Sequence, residues 1–325
     1  MTNAAFDVLG IGNAIVDVIS RADDGFLAKH ELVKGSMTLI DEARAEALYA
    51  AMGPGVEVSG GSCGNTMAGV ASFGGKGAYV GKVRDDQLGG VFGHDLSATG
   101  VSFETPRATA GPATARCLIL VTPDAQRTMN TYLGACTGLG PSDIDVARVG
   151  SAQVTYVEGY LWDAPAAKQA VVKAFDAAHA AGRLVSITLS DSFCVDRYRE
   201  EFRALIRDKV DILFGNEAEI KSLYQVDTFE AALEATRKEA RIAALTRSEK
   251  GSVVVRGAEI HAVPAASVAK VVDTTGAGDL YASGFLFGYT HGKPLAECAR
   301  LGAVAAAEII SHVGARPERP LRELI

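Results

Sequence analysis

Alternation between strand-like and helix-like segments constrains the fold of this chain more than any other feature of its sequence. From residue 151 onward, the apolar runs QVTYVEGYL, RLVSITLS and VDILFGN have the character of buried strands, and helical segments such as AAKQAVVKAFDAAHAAG separate them. Successive strands joined by helical crossovers form a parallel sheet with helices on both faces. The sequence therefore predicts an α/β protein that binds ligands at the carboxyl ends of its strands.

A β hairpin interrupts this alternation. The segments ARCLILVT and RTMNTYL read as strands joined by the turn-like PDAQ, and no helical segment separates them. We therefore expect a small β lid that is distinct from the main sheet. The predicted division assigns residues 19–40 and 101–131 to the lid, and residues 1–18, 41–100 and 132–325 to the α/β domain.

Composition and charge restrict the partners of the protein. The chain has 325 residues, of which 48% are hydrophobic and 22% charged, and its formal net charge is −7. This acidic balance argues against a protein that coats nucleic acid or an anionic membrane surface, and no run is long and apolar enough to span a membrane. The five cysteines show no CxxC pairing, which favours a reducing compartment over a disulfide framework or a zinc site. We expect a cytoplasmic protein.

A glycine-rich turn, DTTGAGD at 273–279, is the strongest candidate for a phosphate site. It follows two valines and precedes a helical segment, so that Asp279 falls in the first turn of a helix. Amides at a helix start are unpaired and carry partial positive charge, and glycines let an anion approach them closely. Gly276, Ala277 and Gly278 thus fit an anion hole, with Asp279 as a base beside it. A plain helix N-cap is the alternative.

Two other segments have both a structural and a functional interpretation. GGSCGN at 60–65 is either an ordinary loop before a helix or a pocket whose amides, with the Asn65 side chain, bind hydroxyl groups. Asn216–Glu219 directly follows the strand-like VDILFG and fits a capped helix start. The same position would let Asn216 and Glu219 hold Mg²⁺ through water.

Other common motifs have little support. GIGNAI at 10–15 begins like GxGxxG but has Ile15 in the sixth position, and neither GxxxxGK[ST] nor HExxH occurs. The six histidines do not cluster in the sequence. A dinucleotide site, a Walker-type phosphate loop and a histidine metal site are therefore disfavoured.

Together, two of these motifs resemble the signatures of a known family. GGSCGNT at 60–66 and DTTGAGDLYASGFL at 273–286 resemble the two signatures of the ribokinase-like (PfkB) carbohydrate kinases, and Asn216–Glu219 is similar to that family's NAEAE-like site. The resemblance extends over essentially the whole chain. It implies a ribokinase-like α/β fold, a central mostly parallel sheet flanked by helices with a small β lid. It also implies phosphoryl transfer from ATP with Mg²⁺.

The resemblance further implies roles for individual residues. Asp279 is similar to the catalytic base, and Gly276, Ala277 and Gly278 to the anion hole. The positions that match substrate-binding residues are Asn13, Asp17, Gly61 and Asn65. Those that match the nucleotide site are Asn216, Thr246, Ser248, Gly251, Arg127 and His312, with Asn216 and Glu219 at the Mg²⁺ position. The residues Asp273 and Thr275, with the segment that ends at Ala315, resemble a loop that binds a monovalent cation such as K⁺ in part of the family.

Two of these residues have an alternative interpretation. Asp17 lies in an apolar strand run, where an unpaired acid is unfavourable unless bound hydroxyl groups compensate it. Arg127 either reaches the phosphates from the lid or is only a solvated charge on a hairpin.

Within the family, the chain most resembles the adenosine kinase branch. GIGNAIVDVI, the block that begins SGGSCGNT, and RTMNTYLGA carry this likeness. YVEGYLWDAP occupies the place where that branch presents an aromatic side chain to the base, so Tyr160 is the expected contact, although it and Trp162 could both be packing residues. Leu161 departs from the usual aromatic pair of the branch.

The resemblance implies phosphorylation of a nucleoside 5′-hydroxyl, with adenosine giving AMP. One alternative is a sugar kinase for ribose, fructose or a related sugar, and another is a kinase for inosine, guanosine or cytidine. A non-catalytic nucleoside sensor is the alternative outside enzymes. A homodimer through the lid is also compatible with the sequence.

Overall fold

The computed structural model describes residues 4–124 and 126–325, and its strands form two sheets of different size. In chain order the strands are β1 (Phe6–Ile11), β2 (Ile15–Arg21), β3 (Met37–Leu39), β4 (Gly55–Ser59), β5 (Gly77–Val80), β6 (Ser102–Phe103), β7 (Ala115–Val121), β8 (Arg127–Tyr132), β9 (Ala152–Glu158), β10 (Leu184–Thr188), β11 (Ile212–Asn216), β12 (Ile242–Thr246), β13 (Ser252–Arg256) and β14 (Glu259–Val263).

The helices connect these strands, and most of them cover the two faces of the larger sheet, while α2 packs on β7 and β8 of the smaller sheet. They are α1 (Asp24–Lys29), α2 (Glu42–Ala51), α3 (Ser62–Ser72), α4 (Gln87–Ala98), α5 (Val146–Gly150), α6 (Pro165–Ala180), α7 (Ser192–Asp208), α8 (Glu217–Tyr224), α9 (Phe229–Glu239), α10 (Ala277–Thr290) and α11 (Leu295–Ile309). Short 3₁₀ turns lie at Gly134–Gly138, Pro141–Asp143, Gly159–Asp163, Ser248–Lys250 and Leu321–Glu323.

The larger sheet confirms the predicted α/β fold. Among the described residues it has nine strands in the order β14-β13-β12-β11-β10-β9-β1-β5-β6. The pairs from β12 to β6 are parallel, and β13 and β14 add an antiparallel hairpin at one edge. Apolar runs such as VTYV in β9 are buried throughout, as expected for a sheet covered on both sides.

Alternating side chains of the sheet divide the interior into two apolar layers. Leu213 of β11 packs with α6, α7, α8 and α9 on one face. Its neighbours Ile212 and Phe214 pack with α3, α10 and α11 on the other. The two layers hold the strands in register, so that their carboxyl ends form one edge at which loops of the site meet.

The smaller sheet has the order β3-β8-β7-β2-β4. β7 and β8 form the predicted antiparallel hairpin, although its PDAQ turn includes Ala125, which lies outside the described residues. The predicted lid segments, 19–40 and 101–131, supply only part of this sheet. β4 and the first half of β2 come from outside them, whereas β6 joins the larger sheet. β4 has only two valines in GVEVS, so no long apolar run marks it.

Two further observations concern the whole described chain. None of the helices in residues 4–124 and 126–325 combines the length and the apolar character needed to cross a bilayer. All five cysteines are free and buried.

Phe285 provides a test of the packing beneath α10. Its ring is fully buried and lies 5.3 Å from the ring of Phe214, at 88°. We expect Phe285→Ala to lower the free energy of unfolding by about 3–5 kcal/mol, because it removes a buried ring and leaves a cavity. The midpoint of urea denaturation measures this change.

Phe193→Ala is the matched control for the same type of substitution. Phe193 is 74% exposed, so its loss should change the free energy of unfolding by less than about 0.5 kcal/mol. Equal effects of the two substitutions would contradict the packing described here.

Candidate active site

The start of α10 has the geometry predicted for the glycine-rich turn. Gly276 precedes the helix in the left-handed region, with φ at +78°, and a Cβ there would lie 3.0 Å from the Ala315 side chain. Gly278 is exposed, and a Cβ at that position would meet no atom within 4 Å. The space above the first turn is therefore open, and an anion can approach the unpaired amides.

The Asp279 carboxylate joins the two glycine-rich segments. Ser62 Oγ donates to Oδ1 at 2.6 Å, and Asn65 Nδ2 donates to Oδ2 at 2.9 Å. Burial raises the pKa of Asp279, while these two hydrogen bonds and the positive charge of Arg316 lower it in part. The residue is partly exposed, and a carboxylate at this position suits proton exchange with a ligand.

Asn65 also has a free acceptor that faces the same region. Its amide nitrogen is used by Asp279, whereas its Oδ1 is buried and, among the described residues, has no hydrogen-bond partner. An unpaired buried acceptor is unfavourable unless a ligand satisfies it. This group therefore suits a hydroxyl donor, as the prediction for Asn65 requires.

Asp17 brings the smaller sheet next to this base. It lies on β2 in register with Val58 of β4 and Cys117 of β7. A Cβ on Gly60 would lie 2.4 Å from the Asp17 carboxyl carbon, so this acid packs directly on the glycine-rich loop. Burial raises the pKa of Asp17 to about 6, the charges of Arg316 and Arg127 oppose this shift, and the charge of Asp279 adds to it.

Arg316 is a component of the site that sequence reasoning missed. Its guanidinium donates to the carbonyl oxygen of Ser59 at 2.7 and 3.0 Å and to that of Gly64 at 2.5 Å. Its charge lowers the pKa values of both Asp17 and Asp279. A single arginine after the His312–Ala315 segment has no motif to identify it, so only the tertiary structure reveals this role.

Glu158, at the end of β9, was missed for a similar reason. Its carboxylate accepts hydrogen bonds from the backbone N–H groups of Asn13 at 2.9 Å and Cys63 at 2.8 Å. Burial raises its pKa to about 7, and these two hydrogen bonds lower it in part. In the sequence nothing distinguishes this acid from the other polar residues of its strand.

Asn216 and Glu219 form a reciprocal capping box at the start of α8. Asn216 donates to both carboxylate oxygens of Glu219, through its backbone N–H at 2.9 Å and its Nδ2 at 2.5 Å. Asn216 Oδ1 accepts the backbone N–H of Glu219 at 2.9 Å. Burial raises the pKa of Glu219 to about 7. Carboxylate and amide oxygens at a strand end fit the donor set that Mg²⁺ prefers.

The part of the chain that the structure describes contains no larger protein cluster for a metal. Within residues 4–124 and 126–325, no group of three His, Cys, Asp or Glu side chains could hold an ion.

Arg127 and Asp273 form an ion pair that connects the smaller sheet to the glycine-rich turn. The two side chains are only 9% and 7% exposed, which excludes the solvated-charge interpretation of Arg127. Asp273 also accepts the backbone N–H groups of Thr275 and Gly314, each at 3.0 Å. It thus ties Arg127 of β8 to the segment that ends at Ala315.

The remaining predicted nucleotide positions lie on two loops. Ser248 and Gly251 follow Thr246 at the end of β12 with positive φ angles of 52° and 81°, and a Cβ on Gly251 would lie 2.1 Å from the Val263 oxygen. His312 Nε2 lies 3.2 Å from Glu308 Oε1. The nucleotide role of these loops stays a prediction.

The aromatic residues near Tyr160 differ in their surroundings. Tyr160 is partly exposed, and its hydroxyl donates to the Ser190 oxygen at 3.4 Å. Leu161 and Trp162 are 2% and 4% exposed, and the Trp162 ring packs 5.4 Å from that of Phe202. Of these, Tyr160 alone has surface available to a ligand, and Trp162 is a packing residue.

Comparisons with known proteins agree with this architecture. The sequence profile of the pfkB family carbohydrate kinases matches residues 38–322. The crystal structure of an adenosine kinase from Sinorhizobium meliloti is 56% identical, covers 99% of this chain and 98% of its own, and superposes with a TM-score of 0.92. A probable sugar kinase from Rhizobium etli is 54% identical with the same coverage and TM-score.

A more distant relative is similar over nearly the same length. Adenosine kinase 1 of Arabidopsis thaliana is 26% identical over 352 aligned positions, which cover 98% of this chain and 99% of the relative. The resemblance thus includes both sheets and both glycine-rich segments.

The raised pKa of Asp17 predicts a pH-dependent gain in stability on its removal. The folded pKa of about 6 exceeds the ordinary value of 3.8, so ionisation above pH 6 opposes folding and this penalty fades as the pH falls toward 3.8. Asp17→Asn should raise the melting temperature of the ligand-free protein near pH 8 by about 2 °C or more, and by less near pH 5. Calorimetry at both pH values measures the difference.

Asp145→Asn is the matched control. Asp145 caps α5 at an exposed position, and asparagine caps a helix equally well. This variant should therefore have the same melting temperature as the wild type at both pH values. A lower melting temperature for Asp17→Asn near pH 8 would contradict the assigned environment of Asp17.

Proposed function

The chain belongs to the pfkB family of carbohydrate kinases, and we propose that it transfers the γ-phosphoryl group of ATP to the 5′-hydroxyl of adenosine, giving AMP and ADP. The position of Asp279 carries this proposal. Its carboxylate, whose pKa is raised, lies in the first turn of α10 beside the open glycine amides and within hydrogen-bond distance of α3. The chain's 56% identity to the Sinorhizobium meliloti adenosine kinase supports adenosine as the acceptor.

The acceptor ribose would bind between the two sheets. Asp17 and the free Oδ1 of Asn65 supply hydrogen-bond acceptors for its hydroxyl groups. Asn13 and Gly61 border the same space, because a Cβ on Gly61 would lie 2.4 Å from the Asn13 oxygen. Residues 19–40 and 101–131, together with β4, would form the lid that excludes water from the transfer.

Proton removal and anion stabilisation are separate tasks in this site. Asp279 takes the 5′ proton while the oxygen forms its bond to the γ-phosphorus, and the bond to the departing ADP oxygen breaks. The amides of Gly276, Ala277 and Gly278 stabilise the negative charge of the phosphoryl group in transit. The raised pKa of Asp279 makes its carboxylate a better proton acceptor than an ordinary surface aspartate.

The nucleotide would occupy the neighbouring strand ends. Asn216 and Glu219 would hold Mg²⁺ through water, and that ion neutralises phosphate charge when it is bound. The further nucleotide contacts in this proposal are Thr246, Ser248, Gly251, Arg127 and His312. A K⁺ site at Asp273, Thr275 and Ala315 stays a prediction. In the structure, Asp273 accepts hydrogen bonds from Thr275 and Gly314.

Aromatic surface for the base is available on the main domain. Tyr160 is partly exposed and contacts Ser190, and Phe193, three residues further along, is 74% exposed at the start of α7. A purine needs flat, partly apolar walls, which two such rings can supply. We therefore place the base beside Tyr160 and Phe193.

A sugar kinase is the second candidate. The Rhizobium etli protein with 54% identity is described as a probable sugar kinase, and Asp17 with Asn65 would also bind the hydroxyl groups of ribose or fructose. Kinases for inosine, guanosine or cytidine share the same requirements. A non-catalytic nucleoside sensor is disfavoured, because binding alone does not require an acid held beside an anion hole.

The assembly and location of the protein also remain proposals. Met37, Leu39 and Val56, on the edge strands of the smaller sheet, are at least half exposed, and we propose that they support a homodimer through the lid. A cytoplasmic location stays a prediction.

A substrate panel tests the proposed function. ADP release is measured with purified protein, ATP and Mg²⁺ on adenosine, inosine, guanosine, cytidine, ribose and fructose. We expect kcat/KM for adenosine to exceed the others by about a hundredfold, a transition-state difference of roughly 3 kcal/mol. Preference for a free sugar would support the second candidate, and no transfer to any acceptor would contradict a kinase.

Asp279→Asn tests the base directly. Asparagine keeps the shape of the side chain but cannot accept the 5′ proton, so kcat should fall by about 10³-fold or more while adenosine binding, measured by calorimetry, changes little. Asp145→Asn, at the capping position of α5, should keep wild-type turnover. Near-normal turnover of Asp279→Asn would overturn this assignment.

A further inference from the structure

We infer that Glu158 is a positioning residue that fixes the two nucleoside-binding loops to each other from beneath the site. This inference rests on the proposed function, since it assigns those loops to the nucleoside. Glu158 ends β9, Asn13 lies between β1 and β2, and Cys63 lies in the first turn of α3. One carboxylate thus joins three elements that are distant in the sequence.

The contacts of Glu158 are with the backbone of these loops. Oε1 accepts the N–H of Asn13 at 2.9 Å, and Oε2 accepts the N–H of Cys63 at 2.8 Å. The Glu158 side chain is buried, with 1% of the residue exposed, so it has no surface for a substrate in this structure. Its effect on the nucleoside must therefore act through the loops.

The loops also have no spare room around this contact. A Cβ on Gly12 would lie 2.6 Å from Glu158 Oε2 and 2.4 Å from the Cys63 Cβ, and one on Gly61 would lie 2.4 Å from the Asn13 oxygen. The backbone around Asn13 therefore packs directly on the start of α3, with Glu158 below both. Asn65 lies two residues after Cys63 in that helix, so its free Oδ1 depends on the same packing.

The chemistry of the contact requires a carboxylate. The two backbone donors reach different oxygens of the side chain, and a carboxylate supplies both acceptors. Glutamine would supply one oxygen, while its NH₂ group would face the second N–H and leave that donor without a partner. The two N–H groups compensate part of the burial of the charge, since they lower the pKa of Glu158.

The effect should be specific to one substrate. Asn13, Gly61 and Asn65 belong to the proposed nucleoside side, whereas the proposed ATP contacts Asn216 and Thr246 lie at the ends of β11 and β12. Loss of one Glu158 hydrogen bond should therefore loosen the nucleoside loops and leave the nucleotide positions in place.

Glu158→Gln tests this inference through the two KM values. We expect the KM for adenosine to rise about tenfold or more, because a buried N–H loses its acceptor. The KM for ATP and kcat at saturating adenosine should stay within about threefold of the wild type. Equal rises in both KM values, or a fall in kcat with an unchanged adenosine KM, would overturn the inference.

Asp211→Asn is a matched control for the loss of a buried acid. Asp211 is 4% exposed and accepts the N–H of Val185 at 2.9 Å. It lies directly before the amino end of β11, whereas Asn216 is at the carboxyl end of that strand. We expect this variant to have a lower melting temperature than the wild type and an unchanged KM for adenosine. If it raises that KM as much as Glu158→Gln does, the effect is general loss of stability and the inference fails.

Two further measurements keep the result interpretable. If Glu158→Gln does not fold, Glu158→Asp keeps both acceptor oxygens on a side chain one methylene shorter, and the inference requires a rise in adenosine KM with an unchanged ATP KM. Calorimetric titration of the wild type with adenosine separates the two proposals. If the wild type neither binds adenosine nor transfers phosphate to it, the proposed function is rejected. If the wild type binds adenosine and Glu158→Gln binds it equally well, only the role of Glu158 is rejected.

Discussion

The site depends on the hydrogen bonds that hold Asp279 between two helices. Ser62 and Asn65, at the start of α3, donate to a carboxylate in the first turn of α10, across 217 and 214 residues of sequence. Both helices begin after a glycine with positive φ, Gly61 and Gly276. The amides of each helix start are therefore directed toward one region, and the carboxylate has a defined position within it.

Several acids with raised pKa values surround this region and oppose one another. Asp17, Glu158 and Asp279 all have raised pKa values, with burial as the main cause in each. Arg316 counters two of them, while the Asn13 and Cys63 amides compensate Glu158. A fold selected only for stability would avoid this arrangement, because charges that are poorly solvated oppose folding. Their concentration at one place is typical of a site that binds and deprotonates a polar ligand.

The sequence predicted the repeated features of the fold and the residues that belong to continuous motifs. Alternating apolar segments predicted the parallel sheet, and the DTTGAGD turn predicted the position of Asp279, because both are local patterns. Arg316 and Glu158 were not predictable in this way, since each acts through backbone groups that only tertiary packing brings near. Trp162 shows a related limit: the sequence placed it beside the expected base contact Tyr160 but did not distinguish contact from packing, and the structure shows that it packs against Phe202.

The two halves of the site are held by independent contacts. On the acceptor side, Glu158 and Arg316 bind backbone atoms of the loops around Asn13 and α3. On the phosphate side, Asp273 holds the glycine-rich turn. Asp279 is the group that both sides share. Apart from the hydrogen bonds of Ser62 and Asn65 to Asp279, different groups hold the loops around Asn13 and the glycine-rich turn, so a fold of this kind can combine one turn with different acceptor sites. In the proposed function the glycine-rich turn supplies the features common to kinases, and the groups on the other side of Asp279 would select the acceptor.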